Sequence, residues 1–340
     1  MQHVDSGDLR MRSDENTWAI ILAAGEGSRL RSLTTTPLGT PIPKQFCSLR
    51  DGASLLHEAL DRAEALTSTP HICAVVAAQH AHWWRPQLGS LPWKNIIVQP
   101  LNRGTANGVL LPLLSLLERD PHARVVLLPA DHHVCAEPVL ARALRHAVDA
   151  VRESPEDVVL LGLEPEEADP QLGYIVPGDT DSRGMRPVRQ FVEKPPLEET
   201  HELMQRGALW NAFIVVSSAQ ALLALFTRRV PELVQAMQAA VREDLASNGA
   251  MRAIARLYGH LPTQDFSRDI LAGQASYLRV LPVPPCGWSD LGTPERVARA
   301  LLRPPLRAGG GVGLRSGYLN LAAQHERLRA REGEAREAVG

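Results

Sequence analysis

Two glycines and two basic residues follow the first apolar run of the chain. The run Trp18 to Ala24 leads into Gly25-Glu-Gly-Ser-Arg-Leu30, and Pro43-Lys-Gln-Phe46 comes shortly afterwards. Glycines let backbone N–H groups approach an anion without a Cβ in the way, while Arg29 and Lys44 supply fixed positive charge. These residues could therefore hold the phosphates of a nucleoside triphosphate.

The spacing of the glycine loop excludes two common phosphate-binding motifs. A P-loop would close with a Lys-Ser or Lys-Thr pair, and a dinucleotide fingerprint would have a third glycine where Leu30 stands. For an isolated Gly-x-Gly, a tight turn without a ligand is the alternative. The Ser-Arg-Leu that follows and the nearby Pro-Lys-Gln-Phe favour the phosphate site.

Two aspartates stand where a sheet could bring them to the same ligand. Asp131 follows the apolar run Arg124 to Ala130 and precedes two histidines, and Asp290 lies in Trp288-Ser-Asp-Leu-Gly292. Ligands of open α/β sheets bind at the carboxyl ends of strands, where a carboxylate can ligate a hard cation on phosphate oxygens. Magnesium is the expected ion. The alternatives are a solvated turn or a zinc site at Asp131, and an Asx turn before a helix at Asp290.

The elements that must position these residues can be read from apolar periodicity. In the first half, strand-length apolar runs alternate with helical patterns, and they occur at Trp18 to Ala24, Ile72 to Ala78, Asn95 to Gln99, Arg124 to Ala130 and Asp157 to Leu163. This alternation predicts an α/β fold with a Rossmann-like, mostly parallel mixed sheet flanked by helices. After about residue 165 the extended pieces are shorter, which predicts an antiparallel addition to the same sheet or a second lobe facing it.

Composition narrows the class of protein. The chain has 340 residues, and its 36 basic and 38 acidic residues nearly cancel, so no nucleic-acid partner is expected. The N-terminal segment has no apolar h-region, and no apolar run reaches the length of a membrane span, so neither export nor membrane insertion is expected. The four cysteines show no Cys-x-x-Cys spacing, which argues against a zinc cage or a disulfide framework. We expect a cytoplasmic protein.

The motifs together resemble those of a known family. Leu22-Ala-Ala-Gly-Glu-Gly-Ser-Arg-Leu30 with Pro43-Lys-Gln-Phe46 is similar to the signature of nucleotide-sugar pyrophosphorylases, which are sugar-1-phosphate nucleotidyltransferases. The Gln-Phe pair resembles mannose-1-phosphate guanylyltransferases in particular. The resemblance extends over roughly residues 17 to 300 and implies the nucleotide-diphospho-sugar transferase fold, with Mg²⁺ as cofactor and small molecules as partners.

The resemblance also implies a role for each matching position. Arg29 would stabilise the leaving pyrophosphate, Lys44 the transferring α-phosphate, and Lys194 the phosphate of the attacking sugar. Nucleotide contacts are expected from Leu22, Ala23, Ala24, Gly25, Gly27, Ser28, Gln99, Gly104 and Thr105. Sugar-phosphate contacts are expected from Gly173, Glu193, Lys194 and Asn211, and magnesium ligands from Asp131 and Asp290. The histidines after Asp131 are treated as supporting or structural.

Some positions depart from the family pattern. Gln99 and Gly104 replace a glutamate and an asparagine of the guanylyltransferases, and a glutamine here also occurs in thymidylyl- and uridylyltransferase relatives. A carboxylate can accept two hydrogen bonds from guanine, whereas an amide offers one donor face and one acceptor face. Ala212-Phe213 replaces Ser-Gly, so a ring could narrow the sugar pocket. Asp265 to Ile270 partly matches a Ser-Ile-Asp segment, although a short capped helix explains it equally well.

We divide the chain into a flexible N-terminal segment (1–16), a nucleotidyltransferase domain (17–305) and a charged C-terminal tail (306–340). Within the domain, residues 17–165 form the nucleotide-binding half and residues 166–305 the sugar-phosphate-binding half. In the tail, Gln324 to Arg336 is predicted to be an exposed helix or a frayed end. A solvated terminus is the simpler interpretation, and an oligomerisation arm, which would fit a homodimer, is the other.

The expected reaction is attack of mannose 1-phosphate on the α-phosphorus of GTP, which yields GDP-mannose and pyrophosphate without a covalent enzyme intermediate. A glucose-1-phosphate thymidylyl- or uridylyltransferase remains an alternative. A cytidylyltransferase acting on polyol phosphates shares the opening motifs, but Phe191-Val-Glu-Lys-Pro195 and Trp288-Ser-Asp-Leu-Gly292 argue against it. A catalytically silent regulatory subunit that senses nucleotide sugars is the alternative from a different class.

Overall fold

The computed structural model describes residues 16–50, 52–247, 251–303, 319–327 and 330. Its strands are β1 (Thr17–Ala23), β2 (Ile72–Ala77), β3 (Ile96–Gln99), β4 (Arg124–Pro129), β5 (Val158–Leu163), β6 (Gly173–Pro177), β7 (Arg186–Glu193), β8 (Leu209–Ser218) and β9 (Leu278–Val283). Within the described residues they form one mixed sheet in the order β3-β2-β1-β4-β8-β5-β9-β7-β6. The α/β fold class predicted from the sequence is confirmed.

Helices cover both faces of this sheet. They are α1 (Arg31–Thr34), α2 (Leu55–Glu64), α3 (Ala81–Trp84), α4 (Gly104–Leu117), α5 (Glu137–Glu153), α6 (Leu197–Gln205), α7 (Ala219–Arg229), α8 (Pro231–Ala246), α9 (Arg252–His260) and α10 (Pro294–Leu302), with a π-helical turn at Phe266–Leu271. One core cluster packs α2, α5 and α10 against the sheet, and the other packs α4, α7, α8 and α9 against its opposite face. None of the described helices has the length and apolar character needed to cross a bilayer.

The first half of the sheet is parallel. Strands β2 and β4 both pair in parallel with β1, and β3 pairs in parallel with β2. Every residue of β2 is buried, because helices cover both of its faces, and this explains the continuous apolar runs in the sequence. The strands begin and end within a residue or two of the predicted positions, and their carboxyl ends lie along one edge.

The second half continues the same sheet, so the alternative of a second lobe facing it is wrong. Strand β8 lies antiparallel between β4 and β5 and pairs with both. Strand β9 then returns parallel to β5, and β7 and β6 extend the sheet with antiparallel pairs. The amino-terminal end of β8 also pairs with β6. The two halves of the domain therefore share one hydrogen-bonded sheet.

Part of the predicted C-terminal tail packs on the domain. The backbone N–H of Ser48 donates to Leu319 O at 3.0 Å, and that of Leu321 donates to Ser48 O at 2.9 Å. Leu321 is fully buried, and residues 321–327 are helical. Leu321 therefore belongs to the core, although it lies within the predicted tail and before the segment predicted to be an exposed helix or a frayed end, Gln324 to Arg336. Residues 1–15 of the predicted N-terminal segment and most of the predicted tail lie outside the described residues.

Candidate active site

A cleft of about 800 Å³ opens along the carboxyl edge of the parallel strands and continues towards β6 and β8. Most of the residues predicted to bind ligand line it, namely Leu22, Ala24, Gly25, Arg29, Gln99, Gly104, Thr105, Asp131, Gly173, Glu193, Lys194, Asn211 and Asp290. Four predicted residues are not among those lining it, namely Ala23, Gly27, Ser28 and Lys44. Residues separated by more than 250 positions in the chain therefore share one cleft.

The glycine loop and the Pro-Lys-Gln-Phe segment form one unit. Gly27 has a φ of +61°, and a Cβ at this position would lie 2.9 Å from the backbone nitrogen of Lys44, so only glycine allows this close approach. The Gln45 side chain donates from Nε2 to the carbonyl oxygens of Ala23 and Gly25, both at 2.9 Å. Gln45 was not predicted to have a role of its own, although it lies in the motif. It fixes the loop that would face the phosphates.

Arg29 is exposed and reaches across the cleft. Its Nη1 donates to Oε1 of Gln171 at 2.7 Å, and Gln171 belongs to the connection between β5 and β6. The backbone N–H of Gln171 in turn donates to Oδ1 of Asp169 at 2.8 Å. Sequence reasoning missed Gln171, because nothing in its local pattern distinguishes it from an ordinary loop residue. This hydrogen bond links the two halves of the cleft above the sheet.

Lys44 is only 4% exposed, and its ammonium lies behind Asp131 rather than in the cleft. Nζ donates to the backbone oxygen of Asp290 at 2.5 Å and lies 3.1 Å from Oδ2 of Asp131. Burial by itself would raise the pKa of Asp131, but the Lys44 ammonium and smaller contributions together bring it below the ordinary value. Asp131 is therefore an ionised carboxylate whose charge is partly neutralised from behind.

A short backbone pairing brings the two predicted magnesium ligands together. His133 and Ser289 exchange hydrogen bonds between their backbone N–H and C=O groups, both at 2.9 Å, so the segments that contain Asp131 and Asp290 run side by side. Both carboxylate oxygens of Asp290 accept from Nη1 of Arg296, at 2.6 and 2.7 Å. Nη2 of Arg296 donates to Asp169, so this buried guanidinium lies between two carboxylates. Sequence reasoning missed both Arg296 and Asp169.

The donor set fits a magnesium ion bound jointly by protein and substrate. An ionised carboxylate has about four lone-pair sites, and Arg296 and the backbone N–H of Gly292 take three of those on Asp290. One site on Oδ2 of Asp290 is left, and Asp131 faces the cleft with a side chain that is 37% exposed. Mg²⁺ commonly uses one or two carboxylates together with substrate phosphates. No cluster of three or more His, Cys, Asp or Glu residues within the described parts of the chain could hold a metal by itself.

The two histidines after Asp131 contact protein groups. The indole Nε1 of Trp288 donates to Nδ1 of His132 at 3.2 Å, which places the imidazole proton on Nε2. Burial lowers the pKa of His132 to about 4, so its ring is neutral at physiological pH. Nδ1 of His133 lies 3.1 Å from Oε2 of Glu58. These contacts agree with a supporting role for the pair and do not favour a zinc site.

The residues predicted to bind the sugar phosphate lie on adjacent strands. Gly173 of β6 pairs with Glu193 of β7, and a Cβ at Gly173 would lie 2.7 Å from Oε2 of Glu193 and 3.3 Å from Cβ of Asn211. Glu193 is largely buried, which raises its pKa, while its Oε1 lies 3.0 Å from Nζ of the half-exposed Lys194. Oδ1 of Asn211 accepts from the backbone N–H of Phe213 at 3.1 Å, which leaves Nδ2 for a ligand.

Phe213 occupies a backbone conformation that suits glycine. Its φ is +56°, and its ring packs edge-on against Phe266 with centroids 5.9 Å apart. Phe213 lines the cleft, as expected from its position in the sequence. The positive φ gives a physical reason why the family pattern has glycine here, because a side chain in this conformation is strained. Lys194 and Leu291, which lie beside other predicted site residues, also have positive φ values of 50° and 47°.

Beside Thr105 the cleft is bordered by Asp265 and by the π-helical turn that follows it. Oγ1 of Thr105 accepts from the backbone N–H of Phe266 at 2.8 Å and donates to Oδ2 of Asp265 at 3.3 Å. Ser267 and Asp269, which partly matched the family's Ser-Ile-Asp segment, also line the cleft. A π-helical turn is rare and often marks a functional site. The segment is also capped, because Oδ1 of Asp265 accepts from the backbone N–H of Arg268 at 2.9 Å, so it is a capped helical turn that lines the candidate site.

Comparisons with known proteins identify the family of the chain. The family described as Nucleotidyl transferase matches residues 18–303. Mannose-1-phosphate guanylyltransferase of Escherichia coli is 27% identical over 287 residues, which cover 80% of this chain and 59% of that protein. The alginate biosynthesis protein AlgA of Pseudomonas syringae pv. tomato is 26% identical over 281 residues, which cover 80% of this chain and 56% of that protein. The chain thus spans less than two thirds of the length of these curated relatives.

Solved structures show the same architecture. A structure described as mannose-1-phosphate geranyltransferase from Thermus thermophilus matches with a TM-score of 0.71 at 26% identity, covering 86% of this chain and 81% of that one. A UDP-glucose pyrophosphorylase complexed with UDP-glucose matches with a TM-score of 0.53 at 14% identity, covering 84% of this chain and 96% of that one, and shows the fold alone. The resemblance read from the motifs is confirmed: the chain belongs to the nucleotidyl transferase family and has the nucleotide-diphospho-sugar transferase fold.

Proposed function

We propose that the chain transfers a nucleotidyl group from a nucleoside triphosphate to a sugar 1-phosphate. The observation that supports this best is the arrangement of one continuous cleft. Gly25 and Arg29, which are predicted to bind the triphosphate, line it together with Asp131 and with Glu193 and Lys194, which are predicted to bind the sugar phosphate. A triphosphate and a sugar phosphate bound in this cleft would share the Asp131 carboxylate.

The proposed reaction is a single displacement. A phosphate oxygen of the sugar 1-phosphate forms a bond to the α-phosphorus, and the bond from that phosphorus to the pyrophosphate oxygen breaks. Arg29 would neutralise the leaving pyrophosphate and Lys194 the attacking phosphate, because positioning and charge neutralisation account for most of the catalysis in this kind of transfer. Lys44 would act through Asp131, whose carboxylate it holds in place.

Magnesium is part of the proposal. Asp131 and Asp290 would hold the ion, which supplies charge neutralisation at the phosphate oxygens when it is bound. The Arg296 guanidinium would keep the Asp290 carboxylate in a fixed orientation, and Lys44 would do the same for Asp131.

GTP and mannose 1-phosphate are the first substrate pair to test, with GDP-mannose and pyrophosphate as products. The curated relatives named mannose-1-phosphate guanylyltransferase support this choice. The second candidate is a glucose-1-phosphate thymidylyl- or uridylyltransferase. Gln99 at the predicted base contact and Phe213 at the predicted sugar contact both differ from the guanylyltransferase pattern, and this difference supports the second candidate. A regulatory subunit that binds nucleotide sugars without turnover is the third candidate.

The test is a matrix of nucleoside triphosphates against sugar 1-phosphates with magnesium, in which pyrophosphate release is measured. Release with GTP and mannose 1-phosphate supports the proposal in full, and release with another pair corrects the substrates. Asp131→Asn, which keeps the shape of the side chain but removes its charge, is the control variant. Tight binding of a nucleotide sugar without release from any pair would overturn the proposed activity in favour of the regulatory subunit.

A further inference from the structure

Gln99 is predicted to contact the base of the nucleotide. Among the described residues of β3, it is the only one that lines the cleft. It is 2% exposed, and its amide lies over Gly108, where a Cβ would be 3.5 Å from both Nε2 and Oε1. An amide can present either its oxygen or its nitrogen to a ligand. Which atom faces the cleft therefore decides what kind of base the site can bind.

A buried tyrosine fixes this orientation. Nε2 of Gln99 lies 3.0 Å from the hydroxyl of Tyr258, and that hydroxyl lies 3.3 Å from the backbone oxygen of Asn107. A carbonyl oxygen can only accept, so the hydroxyl proton points to Asn107 and the phenol oxygen accepts from Nε2. Burial raises the pKa of Tyr258, so the hydroxyl stays protonated at neutral pH. Oε1 of Gln99 accepts no hydrogen bond from any described residue and is left for a ligand.

The fixed amide matches one class of base. Guanine, uracil and thymine each present a ring N–H beside a carbonyl, which complements Oε1 together with the second N–H on Nε2. When the ribose and phosphates hold the base in the same pose, adenine and cytosine present at these places a ring nitrogen that accepts and an amino group that donates, so they require the opposite amide orientation. That orientation would bring Oε1 against the phenol oxygen, whose proton is directed at Asn107, and two acceptors would then face each other.

We infer that Tyr258 is a positioning residue that locks Gln99 so that the site binds keto bases and rejects amino bases. This inference rests on the proposed function for the placement of the base at Gln99. A site built around specific hydrogen bonds discriminates strongly against a ligand that leaves them unpaired. We expect the protein to prefer GTP, UTP or dTTP over ATP and CTP by about 100-fold or more.

The experiment measures base preference in two ways. Isothermal titration calorimetry gives the Kd of each magnesium nucleoside triphosphate, and pyrophosphate release gives kcat/KM for each with one sugar 1-phosphate. The Tyr258→Phe variant lacks the hydroxyl that holds the amide of Gln99 in one orientation. The preference for keto over amino bases should therefore fall to about 10-fold or less, mainly because the amino bases bind better. Tyr174→Phe is the matched control. It removes another fully buried hydroxyl, which bonds the backbone N–H and C=O of Asp169 and not Gln99, so the base preference should not change.

A second variant keeps the inference testable if Tyr258→Phe does not fold. In Gln99→Glu the carboxylate can only accept, so it should still bind guanine through two N–H groups but should lose uracil and thymine by about 10-fold or more relative to guanine. Equal Kd values for keto and amino nucleotides in the wild type would overturn the inference. So would an unchanged preference in a folded Tyr258→Phe variant. Lower Kd values for keto than for amino nucleotides, without pyrophosphate release from any substrate pair, would support the role of Tyr258. The same result would overturn the proposed activity.

Discussion

Nζ of Lys44 lies 3.1 Å from Oδ2 of Asp131, so a buried cation supports a carboxylate that faces the cleft. This relationship separates two basic residues that look equivalent in the sequence. Arg29 is exposed at the cleft, whereas Lys44 is enclosed and also donates to backbone oxygens of residues 290 and 291. The two residues should therefore respond differently to the same substitution.

Arg29→Ala and Lys44→Ala should both lower the turnover number by about 100-fold or more, because each removes charge that acts on the phosphates directly or through Asp131. Their effects on the free energy of unfolding should differ. Arg29→Ala should change it by less than about 0.5 kcal/mol. Lys44→Ala should lower it by about 2 kcal/mol, less than for a fully buried pair because Asp131 is partly solvated. Urea unfolding and pyrophosphate release measure the two effects, and equal stability of both variants would contradict the assignment.

Removing metal should affect activity and not the fold. Chelation with EDTA should stop pyrophosphate release, and excess magnesium should restore it, because the ion would be held jointly by Asp131, Asp290 and the substrate phosphates. The melting temperature of the substrate-free protein should stay the same with and without EDTA. A large drop in melting temperature would mean that a metal supports the fold itself, contrary to this picture.

The buried carboxyl of Glu193 should give a specific pH dependence. Its pKa is raised above 4.5, mainly by burial, so the unfolded chain loses this proton at a lower pH than the folded protein does. The contribution of Glu193 to stability is therefore fully present below pH 4.5 and is lost as the pH rises through the folded pKa. Glu193→Gln should remove this dependence. The difference in unfolding free energy between variant and wild type, measured by urea titration from about pH 4 to 8, should change in favour of the variant with rising pH, and a constant difference would contradict the prediction.

At position 213 a glycine variant should be more stable than an alanine variant, which is the reverse of the usual order of stability. Because its φ is +56°, Phe213→Ala loses the packing against Phe266 and keeps the backbone strain, whereas Phe213→Gly loses the packing and relieves the strain. We expect the glycine variant to be more stable than the alanine variant by about 1 kcal/mol in urea unfolding. Phe226, which stacks on Phe266 from within α7, is the control, since alanine should be favoured over glycine there by about 1 kcal/mol.

The elements of the fold follow from the sequence more directly than their order in the sheet does. Buried parallel strands such as β2 require continuous apolar runs, so their positions can be predicted to within a residue or two. The insertion of β8 between β4 and β5 depends on contacts between distant segments, and no local pattern encodes it. For the same reason the sequence left open whether the second half formed a separate lobe.

Some residues of the candidate site could be predicted from the sequence, and others could not. Residues within motifs, such as Asp131 and Glu193, could be predicted because their neighbours mark them, and the structure brings them to one cleft. Arg296 and Gln171 could not be predicted. Arg296 lies on an ordinary amphipathic helix, and Gln171 lies in a loop without a distinctive motif, so only the folded chain shows that they contact Asp290 and Arg29. The buried position of Lys44 was also not predictable, because a motif specifies a residue type and not the direction of its side chain.

The shared sheet has a mechanical consequence. Because β8 is hydrogen-bonded to both β4 and β5, the two halves of the domain cannot rotate against each other without breaking the sheet. The width of the cleft is therefore set by a rigid floor, and no hinge is available within the sheet to open it. In the proposed reaction, substrates would enter and products would leave through small local movements, such as exchange of the Arg29–Gln171 hydrogen bond for one to a phosphate. The rate of product release should accordingly respond to substitutions at those contacts and be insensitive to changes in the body of the sheet.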